Sequence, residues 1–251
     1  MRTRRTLCVV GLAGVVALVV AGVAPVAWSQ ERAGEQKPLF WEEDTLSSQA
    51  RRAQALRSLE GLRAYELDDP EFLETERAQA AITLGHLRDT VATVPLMDYL
   101  KHDPYPSVRA CAAYALGEIG DRRALGVLRK ALGDWSMEVR LWAAWALIQF
   151  GEGSSDRVMR TLVAIARGEG KEKWDVRGKL ERGAVEDPSR PPRAVQEQRL
   201  REAWRADAVY LLAKVGTQEA WKVVEELAGD RSEDVARQAR SMLRHRQKRG
   251  G

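Results

Sequence analysis

Val108-Arg109-Ala110-Cys111-Ala112-Ala113-Tyr114-Ala115-Leu116-Gly117-Glu118-Ile119-Gly120-Asp121 decides the fold, because the chain writes this stretch more than once. Arg77 to Gly85 reads RAQAAITLG, and Arg140 to Leu147 reads RLWAAWAL. Arg205, Ala208 and Leu212 return in the same register, followed by Ala239 and Leu243. One alanine column (80, 112, 143, 208, 239) and one leucine column (84, 116, 147, 212, 243) hold through five copies. A period of 31–32 residues, about doubled to 65 between Ala143 and Ala208, is the mark of a stacked-repeat solenoid, in which each unit buries its apolar face only against its neighbours.

Each unit reads as two helices. Val108, Ala112, Ala115, Leu116 and Ile119 form one apolar stripe at helical spacing, which defines helix A. Gly117 and Gly120 close it, and Asp121 opens the turn. Leu125, Leu128 and Leu132 give the facing stripe of helix B, and Asp134 and Ser136 begin the next copy. The alanines have a physical role, since only short side chains let neighbouring helices approach to about 8–10 Å. Upstream, Ser47 to Arg63 carries the register in weaker form at Arg52, Ala55, Leu59 and Leu62, as expected of an N-terminal cap. Asp69-Pro70 marks a helix start.

The 108–121 stretch resembles the short HEAT-like repeat of the phycobilisome-lyase type, and the likeness extends over roughly residues 76–247. The resemblance implies an all-α fold, a right-handed α-solenoid of antiparallel helix pairs, with the B-helices lining its concave side. Such repeats serve scaffolds, chaperones, inhibitors and a few enzymes, so they fix architecture and leave function open. A related iron-dependent hydroxylase uses repeated His-Glu pairs, and this chain has no His-Glu dipeptide.

The first 29 residues stand apart from the fold. Arg2, Arg4 and Arg5 precede an uncharged run from Thr6 to Gln30, with Pro25 and Ala27-Trp28-Ser29 at its end. Two readings fit: a signal peptide at 1–29 cleaved after Ser29, or an uncleaved anchor, since the run matches the roughly 20 apolar residues that span a bilayer. Both place the remainder outside the cytoplasm, because the arginines stay inside. Thr3-Arg4-Arg5-Thr6-Leu7 is only loosely similar to a twin-arginine export signal. Residues 30–45 read as a linker, with Trp41 as a docking residue, and 46–251 as the repeat domain. Residues 168–192, rich in Gly, Pro and charge around Trp174, read as an insertion or as an eroded repeat at Val176, Arg177 and Leu180.

The formal net charge of +4 belongs mostly to the leader. Residues 1–29 hold three basic side chains and no acidic one, so the remainder is near neutral, and nothing in the overall charge calls for nucleic acid. Of the two cysteines, Cys8 lies in the leader, and Cys111 alone cannot form an intramolecular disulfide. It reads as a small buried apolar residue.

No catalytic constellation, cofactor box or metal-ligand set emerges. The three histidines, His86, His102 and His245, are scattered. Gly117-Glu118-Ile119-Gly120 and Gly151-Glu152-Gly153 lack the Lys-Ser/Thr that a phosphate loop needs. Asp89, Asp121 and Glu152 recur at one turn and are expected to cap helices or to pair with the arginine ladder of Arg77, Arg109, Arg140 and Arg205. Two surfaces are candidates for a protein partner. Ile82, Tyr114, Trp145 and Tyr210 share a column about 200° round helix A from Ala112; it is either an outer binding strip or aromatic stacking between copies. On the B-helices, Arg122, Arg123, Arg129, Lys130, Arg157, Arg160 and Arg167 form a basic face, with Arg123, Arg129, Arg157 and Arg160 expected to converge. The sequence thus points to a non-catalytic scaffold whose partner is another protein, touching membrane only through an uncleaved N-terminus. A lyase-type or chaperone-like activity is the alternative, and nucleic-acid binding comes behind it.

Overall fold

The computed structural model describes residues 48–61, 70–169 and 193–249. The expectations for the leader, linker, Trp41 and the 170–192 segment lie outside these residues. All described residues fall within one compact unit, Leu46–Gly251. They form ten α-helices and no strand: α1 (Ser48–Gly61), α2 (Pro70–His86), α3 (Thr93–His102), α4 (Pro106–Ile119), α5 (Leu125–Ala131), α6 (Met137–Gln149), α7 (Asp156–Arg167), α8 (Arg193–Val215), α9 (Gln218–Leu227) and α10 (Glu233–Arg249). Short 3-10 turns at Thr90–Ala92 and Arg122–Ala124 precede α3 and α5.

The helices sort into two layers. Helices α2, α4 and α6 pack side by side as the A layer, continued by α8 and α10. Helices α3, α5, α7 and α9 form the B layer, each against the A-helices beside it in the chain, and α1 closes the N-terminal side against α2. The all-α solenoid of helix pairs expected from the repeat is the fold of this chain.

Local chemistry sets each boundary. Pro106 opens α4 where no backbone N–H is needed, and Asp103 accepts from Tyr105 N–H at 2.9 Å. At the other end Gly120 is left-handed (φ 73°) and its N–H bonds Leu116 O at 3.1 Å. Asp121 and Asp89 then accept from the N–H two residues on, at 2.9 and 3.1 Å, nucleating the 3-10 turns. The capping expected of these two aspartates is what they do.

The apolar surface of α4 is wider than the stripe read from sequence. Val108, Ala110, Cys111, Ala112, Ala113, Ala115 and Leu116 are all buried, because the helix is flanked by α2, α3 and α6 at once. Gly117 lies inside α4 and closes nothing. A Cβ there would stand 2.9 Å from Ala146 Cα and 2.6 Å from Trp145 Cζ3. Gly85 is equally tight, 2.7 Å from Ala115 Cα. Glycine at this column therefore sets how closely consecutive A-helices approach. Leu84, Leu116, Leu147 and Leu212 are fully buried from the A layer, and Leu96, Leu128, Leu162 and Val224 from the B layer.

Candidate functional site

The arginine ladder is a stacking device, and its partners differ from those expected. Arg109 donates through Nε and Nη2 to Asp134 at 2.9 and 2.8 Å, and through Nη1 to Asp103 O at 2.9 Å. One guanidinium thus clamps the turn before its own helix to the turn of the next copy. Arg77 keeps only the ion pair, its Nε 3.4 Å from Asp103 without a hydrogen bond, whereas Arg205 donates to Asp230 at 2.5 Å and to Ala166 O at 3.0 Å. Arg140 keeps the backbone half, donating to Asp134 O and Trp135 O at 2.9 and 3.1 Å. Aromatic rings back the clamp, with Arg77 over Tyr105 at 5.5 Å and Arg109 over Trp135 at 5.1 Å. Burial pushes the Asp103 carboxyl upward against the pull of Arg77 and Arg109. Beside it, Ser107 donates to buried Glu74.

Asp89, Asp121 and Glu152 take other cations. Asp89 binds Arg52 of α1 at 2.6 Å, and that guanidinium holds its carboxyl below the usual range. Asp121 accepts from Arg123 Nε at 2.8 Å and from Thr93 Oγ1 at 3.1 Å; Arg123 is the main cause that lowers it to about 2. Glu152 accepts from Arg129 Nε at 2.8 Å, and is likewise held low by Arg129. The reason is distance along the helix. Asp121 follows Arg109 by twelve positions, so they sit at opposite ends of α4, about 18 Å apart at 1.5 Å per residue.

On the A-layer surface, Ile82, Tyr114, Trp145 and Tyr210 are all partly buried. Tyr114 and Trp145 lie with ring centroids 4.9 Å apart, and Trp142 meets them edge-on at 5.4 and 5.9 Å. His86, at the end of α2, shares a 3.2 Å hydrogen bond with the Tyr114 hydroxyl. Burial lowers the His86 pKa and pushes Tyr114 up to about 12. Tyr114 and Trp145 thus stack on one another across copies instead of standing apart around a ligand. Trp142 and His86 were missed in the sequence because they belong to other columns; the signal was the spacing of Trp142 and Trp145, one helical turn apart.

Arg122, Arg123, Arg129, Lys130, Arg157, Arg160 and Arg167 are all exposed on the B layer. Arg123 and Arg129 are tied to Asp121 and Glu152, and Arg167 to Glu226 at 2.7 Å. Arg160 Nε donates to Asp156 O at 3.2 Å within its own helix. Cys111 is buried, His102 lies 3.9 Å from Asp98, and among the described residues no cluster of His, Cys, Asp and Glu could hold a metal ion. Among the same residues no helix is long and apolar enough to cross a membrane.

A family match agrees with the architecture. The family of HEAT repeats matches residues 67–148 and, one copy on, residues 93–182. Residues 67–182 of this chain are HEAT repeats. An uncharacterized protein in the gldA 3' region of Geobacillus stearothermophilus is 42% identical over 53 residues, covering 21% of this chain and 24% of that protein. The chain therefore matches about a quarter of that relative's length. The CpcE–CpcF complex of phycocyanin lyase from Nostoc sp. PCC7120 has a similar structure, with TM-score 0.43 and 19% identity over 84% of this chain and 68% of that one.

Proposed function

We propose that this chain is a non-catalytic scaffold or adaptor that works outside the cytoplasm and binds another protein through the surface of its repeats. The observation that carries the reading is how the repeat divides its residues. Columns that recur (alanine, leucine and the clamp arginine) are spent on stacking, whereas exposed B-helix positions differ from copy to copy. Solenoids present such variable faces as extended binding platforms. The extracytoplasmic half rests on Arg2, Arg4 and Arg5 ahead of an uncharged run from Thr6 to Gln30.

The test has two parts. A reporter active only outside the cytoplasm, fused after Gly251, should be active, and a tagged full chain should capture a discrete protein from cell-envelope extract. A reporter active only inside the cytoplasm overturns the location. A chromophore that co-purifies with the chain, seen as visible absorbance, would favour the lyase-type reading that the 108–121 stretch raises.

A further inference from the structure

The B-layer cations divide into two sets that no sequence column separates. Arg123, Arg129 and Arg167 hold carboxylates of this chain, so their donors are committed internally. Arg122 lies in the field of Glu152. Lys130, Arg157 and Arg160 are exposed, and among the described residues none of the three is in an ion pair. The Gly133 turn that follows α5 places Arg157 beside the end of that helix. A Cβ added at Gly133 would stand 3.7 Å from an Arg157 terminal nitrogen and 3.4 Å from the Lys130 carbonyl oxygen. The Arg157 guanidinium therefore lies over the last turn of α5, which carries Lys130, and Arg160 projects one turn along the same face of α7. Gly126, further up the exposed face of α5, has nothing within 4 Å of where a Cβ would be.

We propose that Lys130, Arg157 and Arg160 form the docking point for a short acidic polypeptide segment of a partner protein. The proposal rests on the scaffold reading and names the chemistry of its partner. The Arg157 fork, the Lys130 ammonium and the terminal nitrogens of Arg160, whose Nε goes to Asp156 O, are donors matched to side-chain carboxylates. The neighbouring helix decides between a short acidic segment and a long polyanion. α9 packs beside α7 and exposes Glu219, Glu225 and Glu226, of which Glu225 and Glu226 are paired with Arg246 and Arg167. A nucleic-acid backbone tracking the layer would run onto those carboxylates, whereas a segment of a few residues stays on α5 and α7.

The experiment uses the full chain and fluorescein-labelled hexaglutamate, read by fluorescence anisotropy at low salt. Wild type should bind, and binding should weaken as salt is added. Arg157→Glu with Arg160→Glu should weaken it at least about tenfold with unchanged helical circular dichroism, whereas Arg123→Gln should stay within about twofold. Should the charge reversal unfold the chain, Arg157→Gln with Arg160→Gln carries the same expectation. No binding by wild type, equal loss in Arg123→Gln, or binding of an oligothymidylate but not of hexaglutamate overturns the proposal. Protein capture that survives the double variant removes this site and leaves the scaffold standing. Hexaglutamate binding that the double variant abolishes, with no protein ever captured, keeps the site and removes the scaffold.

Discussion

In the A layer, α4 buries Val108 through Ala113 on every side, Arg109 included. In the B layer, α7 buries Val158, Met159, Leu162, Ile165 and Ala166 and turns Arg157, Arg160 and Arg167 to solvent. An A-helix meets neighbours on three sides, so most positions are restricted to alanine, glycine and a few leucines. A B-helix needs only one apolar stripe, and its outer positions are free to vary. An arginine consequently means different things in the two layers. In the A layer it is a buried clamp between copies; in the B layer it stays at the surface, tied to a carboxylate of this chain at Arg123, Arg129 and Arg167 and outside any ion pair among the described residues at Arg157 and Arg160.

Removing one arginine from each layer tests that contrast most severely. Arg109→Met strands the Asp134 carboxylate and the Asp103 carbonyl, and breaking one side of a buried pair costs about 3–5 kcal/mol. Arg123→Met breaks a pair whose arginine side chain is 60% exposed, and such solvent-screened pairs contribute little. Urea denaturation of both variants should separate them clearly. Equal midpoints would mean that the clamp does not hold the copies together.

The architecture was legible in the sequence because the A-helix constraints are severe: five copies of one alanine and one leucine column cannot be satisfied by a lone helix pair. The clamp was half legible. Its arginines stand out as a ladder, but their carboxylates lie in the following copy, and only the stacking shows which turn comes alongside. Asp103, Asp134 and Asp230 precede the next A-helix and share the end of the layer with the arginines, whereas Asp121 does not. The sorting of B-layer cations was not legible at all. Whether Arg129 or Arg157 is free depends on where Glu152 falls across a helix–helix gap, which no periodicity encodes.

One A-layer position departs from the small or apolar pattern and makes the contrast titratable. Asp207 on α8 stands in the column of buried Cys111, and burial pushes its carboxyl up to about 7. A folded pKa above the unfolded value of about 3.9 means that the ionised form opposes folding. The penalty is complete above pH 7, shrinks as pH falls through 7, and vanishes below about 4. Asp207→Asn should therefore be more stable than wild type by roughly 1–2 kcal/mol at pH 8, with the difference closing towards pH 5. Asp121 and Asp89, held low by their arginines, lose their contribution only at more acid pH, so they leave this window clear. A pH-independent difference between variant and wild type would show that Asp207 is solvated like a B-layer carboxylate.

The smallest expected effect concerns the turn where the two layers join. Three A-helices leave through a left-handed glycine four residues past the column leucine: Gly120, Gly151 and Gly216, with φ of 73°, 82° and 74°. After Leu84 the same place is taken by Arg88, whose φ is 50°. A residue with a Cβ is held there at a cost of about 1–2 kcal/mol. Its exposed guanidinium lies 3.8 Å from Glu118, and such a pair offsets little of that cost. Arg88→Gly relieves the strain but gives the unfolded chain more freedom, so the net gain should be about 0.5–1 kcal/mol. Gly120→Ala, the reverse change in the next copy, should destabilise by a similar amount, because nothing lies within 4 Å of its Cβ and only backbone conformation is tested. Thermal melts of the two variants should move in opposite directions from wild type. If both move down, Arg88 is held by something other than the helix cap, and the turns of successive copies are not equivalent.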